Sequence, residues 1–426
     1  MATRGVPSRI QSQAKGRKTQ ELLTGNEAAA WGVRLSRPEI IPTYPITPQT
    51  SLLHKIASDI RSGVLKADFI NTESDYSAMA AAIGASLGGA RVFTATNSQG
   101  LALMSEHLYY ASGMRLPIVM AVVNRALSAP HSRFPDHNDA LSVNRSGWIQ
   151  LFCEDPQEVL DTCIQLFKIC EDPRVSLPGM FCYEAYDISH TAEGVSLPEP
   201  EAVDLFLGRR KLPSLLDPGI PRSLNPPTPP DLYTEFKHAQ SEAMETALQV
   251  IQEVGQAYAA TFQGPERGLY EAIPGECGQC VIVTMGSIAR TVRRSVAELQ
   301  KEGLKVSLLK VRAYRPFPYQ AFRELLRWAK VVLAMDRNYS PGSGGALWGE
   351  IRSSLYGLPK PPRVFGVIAG LGGRDVTIRE LKDLAKKALK GEAPFLDENR
   401  IYWLGLDEKR IKAFTPQAPI PPKAAT

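Results

Sequence analysis

From Asp68 to Met104 the chain reads DFINTESDYSAMAAAIGASLGGARVFTATNSQGLALM, and this stretch dictates an architecture. Twice over, a short apolar run ends in a polar cluster and gives way to helix-forming residues. Phe69-Ile70 leads into Asn71-Thr72-Glu73-Ser74-Asp75, and Arg91–Thr96 leads into Asn97-Ser98-Gln99-Gly100. Ser74 or Asp75 would cap the first helix. Its Ala80, Ala81, Ala82, Gly84, Ala85, Gly88 and Gly89 carry so little bulk that it can lie close to a sheet or to another subunit. Two consecutive strands with polar ends on one edge fit an open parallel sheet, in which ligands bind at the carboxyl edge.

The flanking chain extends the pattern. Gly25-Asn26-Glu27 opens an Ala-rich helix, and Ile40-Ile41 form a short strand ending at Thr43-Tyr44-Pro45-Ile46-Thr47-Pro48. Pro45 and Pro48 stiffen that loop, so Thr47 presents its hydroxyl either to a ligand or, like Thr50, as a helix cap. A helix from Ser51 to Ile60 follows. The apolar strand Pro117–Val123 stops at Asn124-Arg125, on the edge that carries Asp75 and Asn97. Arg125 there suits either a two-point grip on a carboxylate, each charged hydrogen bond contributing about 1.5–3 kcal/mol, or an inter-segment salt bridge. Residues 125–139 form a polar, proline-broken loop long enough to be functional. Trp148–Phe152, the helix Asp155–Cys170 and the strand Gly179–Tyr183 complete about six β-α units, the signature of a doubly wound sheet.

Residues 196–230 are proline-rich and read as an extended linker, followed by a helix from about Glu235 to Phe262. A second α/β unit starts at Val281, with strands Val281–Thr284, Lys305–Val311, Val331–Met335 and Val364–Ile368 between helices at 288–302, 319–329 and 344–356. The fold class is therefore α/β, two doubly wound parallel-sheet domains joined by a Pro-rich linker. The expected division is a polar arm at 1–20, a first domain at 21–195, linker and long helix at 196–262, a second domain at 281–390 and a tail at 391–426. The turns at 341–345 and 370–373 are Gly-rich, but neither completes a phosphate-loop motif.

Other functions are excluded or set aside. Net charge is only +5 with both signs interspersed, which gives no nucleic-acid stripe. No apolar run reaches the roughly 18 residues of a membrane span, and the basic N-terminus lacks a secretory core, so a reduced cytoplasmic compartment is the expectation. Cysteines 153, 163, 170 and 182 fall in apolar periodic segments as core residues. Cys277 and Cys280 have half-site spacing with nothing to complete it, and the sequence carries no ferredoxin-type cysteine run. His131, Asp136, His137 and Asp139 read better as loop caps than as metal ligands. No metal site is assigned to this chain.

The segments TGNEAAAWG, TYPITP, ESDYSAMAAAIGAS, FTATNSQGLALM, VVNRALSAP, PDHNDALS, GWIQLF, VTMGS, KVRAYRPFP, MDRNYSPGSGG and GLGGRDVT, spread over about residues 21–390, closely resemble the α subunit of pyruvate- and other 2-oxoacid:ferredoxin oxidoreductases. The resemblance implies a thiamine diphosphate site divided between chains. This chain would supply a pyrimidine-binding-like domain and a transketolase C-terminal-like domain. A β subunit would supply the diphosphate and Mg2+ site. A γ subunit and a ferredoxin-like δ subunit would complete the complex, the small subunits adding [4Fe-4S] clusters, and the whole would be a dimer of hetero-oligomers that uses CoA as co-substrate. The sequence carries no GDG-and-Asn diphosphate signature, in keeping with half a site.

Carried over motif by motif, Asp75 is the acid that hydrogen-bonds the aminopyrimidine ring nitrogen. Thr47 and Arg125 hold the substrate carboxylate, and Glu73, Asn97 and Pro45 stand beside the cofactor. The family's acid is usually glutamate, and aspartate is shorter by about 1.5 Å. Closer backbone approach, an intervening water, or Glu73 in its place would each make up the difference. His131-Ser-Arg-Phe-Pro135 replaces the tryptophan and asparagine that tend to precede DHND in pyruvate enzymes, so an aromatic 2-oxo acid such as phenylglyoxylate becomes an expected substrate beside pyruvate. The rival readings are a non-catalytic scaffold subunit, an inactive homologue and a self-sufficient transketolase-like enzyme.

Overall fold

The computed structural model describes residues 19–208, 216–217, 219–273, 278–407 and 409–411. The N-terminal arm before Thr19, Cys277 and the tail beyond Ile411 lie outside the described residues. Among the described residues, no helix is long and apolar enough to cross a membrane.

The first sheet runs in the order Ala313–Arg315, Ile149–Phe152, Gly179–Glu184, Val119–Asn124, Phe93–Thr96. A parallel bridge from Val92 to Ile40 carries it on to the pair Ile40–Thr43 and Asp68–Asn71. Every strand is parallel to its neighbours except Ala313–Arg315, which the second half of the chain lends antiparallel to Ile149–Phe152. The central strand shows why the sheet is covered on both faces. Val119, Ala121 and Val123 enter one apolar cluster, Met120 and Val122 the other, so the alternation that would leave one side polar is absent.

The small-residue helix, Asp75–Leu87, divides its faces. Ala78, Met79, Ala82 and Ile83 are buried, whereas Ala80 and Gly84 face outward, with open space where a Gly84 Cβ would be.

The second sheet has the order Tyr402–Trp403, Arg363–Ile368, Val331–Asp336, Cys280–Thr284, Val306–Val311, Tyr270–Ile273, parallel except for the last. Four segment readings need correction. Residues beyond 390 are not all tail: Phe395 is buried against Phe365, and Tyr402–Trp403 adds a strand to the sheet. The segment after 196 is not a plain linker, because Ala192–Leu197 pairs antiparallel with Thr19–Thr24, and Pro200–Leu207 is a helix that buries Val203 and Phe206. That same pairing takes Thr19 and Gln20 out of the arm. The long helix starts at Pro230 rather than near Glu235. In both helices proline stands at the first turn, where the missing N–H has no helical partner in any case, so prolines that read as breakers act as starters.

The two sheets are tied by buried charge. Glu158, on the helix Pro156–Cys170, accepts from Lys310 Nζ at 2.7 Å and lies 3.3 Å from Arg267 and 3.5 Å from Arg312. Burial pushes its carboxyl up, but the three cations overcome burial and hold it down at about 2. Removing one member of such a cluster leaves uncompensated buried charge. Glu158→Gln is therefore expected to lower unfolding free energy by about 3 kcal/mol in urea titrations at neutral pH. A carboxyl depressed from 4.5 to about 2 contributes stability above pH 4.5 that is lost as pH falls toward 2. The variant should lack that acid-side loss, and an unchanged midpoint would show that the cluster does not hold the domains together.

Candidate active site

The strand ends of the first sheet converge on one rim. Asp75 begins its helix behind the N-cap Ser74, which accepts from Ser77 N–H at 3.2 Å. The Asp75 side chain turns inward, only 3% exposed, and its Oδ1 accepts from the Thr96 hydroxyl at 2.7 Å. A Cβ on Gly100 would lie 2.5 Å from both Asp75 Cγ and Thr96 Oγ1, so only glycine lets this carboxyl occupy its seat. Burial raises the Asp75 pKa above the usual carboxylate range, opposed by the Thr96 hydroxyl.

Arg125 is buried where Val119–Asn124 ends. Its Nη1 donates to the Thr47 carbonyl and its Nη2 to Gln99 Oε1 at 2.8 Å, while its Nε is buried without a partner. Asn97 donates from Nδ2 to the Ile46 carbonyl at 3.0 Å and leaves Oδ1 buried and unpartnered; Gln99 Nε2 is also unpartnered. Buried polar atoms are normally satisfied, and unsatisfied ones gathered at one rim mark a place shaped for a further molecule.

One carboxylate fixes this rim. Asp139 Oδ2 accepts the backbone N–H groups of Ser98 and Arg125, each at 3.0 Å. Its Oδ1 accepts from Asn124 Nδ2 and Ala140 N–H, each at 2.8 Å. Ser98 thereby keeps a left-handed φ of 46°, reinforced by its hydroxyl donating to the Ala126 carbonyl at 2.7 Å. Such a conformation persists only where surrounding contacts over-determine it.

The sequence-based candidates are not all brought together. Asp75, Asn97 and Arg125 share the rim. Thr47 joins through its carbonyl, and Pro45 is exposed beside it. Glu73 stands apart, exposed, with its carboxylate taken by the Ser77 hydroxyl. Thr96, Gln99 and Gly100 went unassigned in the sequence, although each follows an apolar run at the level of the expected polar edge. Asp139 read as an ordinary loop cap; only folding shows that the backbone donors it caps lie on two different strand ends.

Comparison with known proteins gives these contacts a context. Residues 32–256 match the family described as pyruvate flavodoxin/ferredoxin oxidoreductase, thiamine diP-bdg, and residues 278–381 match pyruvate:ferredoxin oxidoreductase core domain II. The chain is 44% identical over 391 residues to pyruvate synthase subunit PorA of Methanocaldococcus jannaschii, covering 91% of this chain and 98% of that one. It is 41% identical over 372 residues to ketoisovalerate oxidoreductase subunit VorA of Pyrococcus abyssi, covering 87% and 94%. Its fold is that of 2-oxoglutarate:ferredoxin oxidoreductase from Magnetococcus marinus, with a TM-score of 0.70 at 19% identity; the match covers 87% of this chain and 66% of that longer one. The chain therefore belongs to the 2-oxoacid:ferredoxin oxidoreductase family, as an α-type subunit carrying its thiamine diphosphate-binding domain.

Two variants test the rim. In Asp139→Asn an amide NH2 must face backbone donors, so stability should fall by about 1–3 kcal/mol, with amide exchange at Ser98 and Arg125 accelerated about tenfold; unaltered exchange would show that the carboxylate is not the tie. Asp75 works the opposite way. A carboxyl whose folded pKa is raised withdraws stability as pH climbs above 3.8. Asp75→Asn should thus leave the neutral-pH unfolding midpoint unchanged or higher while abolishing turnover of the assembled complex, and a destabilised, active variant would contradict this.

Proposed function

We propose that this chain is the α subunit of a multi-subunit 2-oxo acid:acceptor oxidoreductase that oxidatively decarboxylates a 2-oxo acid to an acyl-CoA and CO2. The observation that carries the proposal is the convergence of a buried, raised-pKa Asp75 and a buried Arg125 on a single rim. The rim fits half of a thiamine diphosphate site: Asp75 would bond the aminopyrimidine, with Asn97 and Pro45 beside it and Glu73 outside. When bound, the coenzyme supplies the electron sink that stabilises the carbanion left by loss of CO2. The diphosphate, its Mg2+ and the [4Fe-4S] clusters are assigned to the β, γ and δ partners. CoA is the acyl acceptor.

This chain's own contribution is positioning and proton handling. Burial favours the protonated form of Asp75, and Thr96 orients the carboxyl, so a proton can be held at the oxygen turned toward a ring nitrogen. Arg125 remains charged in spite of burial. Clamped by Thr47 and Gln99 through one hydrogen on each terminal nitrogen, it keeps Nε and the remaining hydrogens for a carboxylate. Preorganised in this way, it binds the 2-oxo acid without reorienting during the reaction.

The acyl side of the pocket is aromatic. Phe134, from the distinctive loop, lies against Tyr186 with ring centroids 5.5 Å apart and the rings tilted by 49°, and Tyr186 lies within electrostatic reach of Arg125. Relatives named for pyruvate and for ketoisovalerate match this chain at 41–44% identity, so overall similarity leaves the acyl group open. The aromatic wall favours a larger side chain than methyl, with phenylglyoxylate as the probe. The purified complex should turn over phenylglyoxylate as well as pyruvate, and Phe134→Ala should change their kcat/KM ratio by about tenfold, about 1.4 kcal/mol. Consumption of pyruvate alone would remove the aromatic substrate. Arg125→Ala should abolish turnover with assembly intact, whereas full activity would favour the scaffold reading.

A further inference from the structure

Each residue from Thr96 to Gly100 serves the rim in a different way. Thr96 holds Asp75, Asn97 reaches the Ile46 carbonyl, Ser98 is pinned by Asp139, and Gly100 leaves room for the Asp75 carboxyl. Gln99, in the first turn of the helix Ser98–Leu103, is partly exposed and meets Arg125. Its amide has two ends, and only one of them is used.

The neighbour dictates how that amide is turned. Arginine carries donors alone, so Gln99 must present Oε1 to Arg125 Nη2, at 2.8 Å, and the Ser98 hydroxyl lies 2.6 Å from the same oxygen. Nε2 is thereby left with both hydrogens free, and it is buried without an acceptor. The backbone holds this arrangement in place. Ser98 N–H is tied to Asp139 before Gln99, and Gly100 N–H to the Asn97 carbonyl at 2.9 Å after it.

Asn97 has the opposite character. Its Nδ2 donates to the Ile46 carbonyl, a group that only accepts, so the unpartnered Oδ1 is an acceptor, to which an ionised carboxylate brings no hydrogen. Of the two amides, only Gln99 suits an anion. Were clasping Arg125 its whole task, glutamate would do so through a charge-assisted bond and would leave no amide nitrogen buried without a partner, a state that proteins avoid.

We propose that Gln99 is a substrate-binding residue, its Nε2 donating to the same carboxylate of the 2-oxo acid that Arg125 grips. The inference rests on the reading of Arg125 as the carboxylate site and adds a third donor to it. A carboxylate offers about four lone-pair sites, so one oxygen can accept from Arg125 Nη2 and Gln99 Nε2 together while the other takes Arg125 Nε. The contact between the two side chains then works in both directions: Gln99 orients the guanidinium, and the guanidinium aims the amide.

Oxamate, an unreactive isostere of pyruvate, titrated by calorimetry into the intact complex saturated with thiamine diphosphate, tests the assignment. Gln99→Met, which keeps the length of the side chain and removes the donor, is expected to weaken oxamate binding about tenfold. Gln99→Glu, which sets a carboxylate oxygen against the ligand carboxylate, should weaken it roughly a hundredfold. Coenzyme affinity and the unfolding midpoint should stay at wild-type values in both. Oxamate affinity unchanged in Gln99→Met, or lost only together with coenzyme affinity and the unfolding midpoint, would overturn the proposal. A structure of the wild-type complex with oxamate separates contact from support: Nε2 within about 3.2 Å of a ligand oxygen is expected. Oxamate seated on Arg125 with Nε2 still unpartnered would overturn the assignment of Gln99 and leave that of Arg125 intact. Oxamate bound away from Arg125, or not bound at all, would remove the Arg125 reading and the Gln99 assignment with it.

Discussion

The rim of the first sheet depends on the buried carboxylate of Asp139. Parallel strands end in backbone groups that the ladder no longer serves, and the ends of Phe93–Thr96 and Val119–Asn124 would otherwise fray into separate loops. By accepting N–H groups from Ser98 and Arg125 with its Oδ2, Asp139 locks the two ends into one object. The residues just past each strand are then fixed as well: Asn97 and Gln99 after one, Arg125 after the other. A charged acceptor strengthens each bond, and low dielectric makes losing one costly, so the tie is stiff. Stiffness at that point allows Arg125 to stay buried with an unpaired nitrogen, a state that a mobile loop would relax by turning the side chain to water.

The second domain is joined to this scaffold by salt bridges and hydrogen bonds as much as by apolar packing. Glu184 ends the strand Gly179–Glu184 and accepts from Ser287 N–H at 2.8 Å, while His137 Nε2 lies 2.9 Å from the same oxygen. Gly286 is forced by this contact, since its Cβ would fall 2.0 Å from Glu184 Oε1. With the Glu158 cluster, the domain boundary has two buried polar anchors of fixed geometry. Such anchors add less net stability than apolar packing of equal volume but tolerate little displacement, which suits an interface that must hold its register. The loop carrying Phe134 also touches the second domain, where Gly372 N–H donates to the Pro135 carbonyl at 3.0 Å.

Much of the fold was legible in the sequence because parallel strands buried on both faces announce themselves as continuous apolar runs with polar ends. Val119–Asn124 and Val331–Asp336 are such runs. Segments whose status depends on a distant partner were not legible. Ala313–Arg315 is a strand only because Ile149–Phe152 lies beside it, and Tyr402–Trp403 only because Arg363–Ile368 has a free edge. At the site, Asp75 and Arg125 could be placed because each stands at the end of a periodic run. Their supports could not: Thr96, Gln99 and Asp139 act across 21, 26 and 14 residues of sequence, and Gly100 matters only because Asp75 arrives beside it. Spacing alone also left Glu73 and Asp75 as competitors; the helix start turns Asp75 inward and leaves Glu73 exposed.

The central claim is that this chain forms one wall of a thiamine pocket whose other wall belongs to a partner. A structure of the assembled complex with thiamine diphosphate bound measures it directly. The account predicts an aminopyrimidine nitrogen within about 3.2 Å of the Asp75 carboxyl, with Glu73 still at the surface and the diphosphate held by another chain. An aminopyrimidine well beyond hydrogen-bond reach of Asp75, or a diphosphate held by this chain itself, would contradict it.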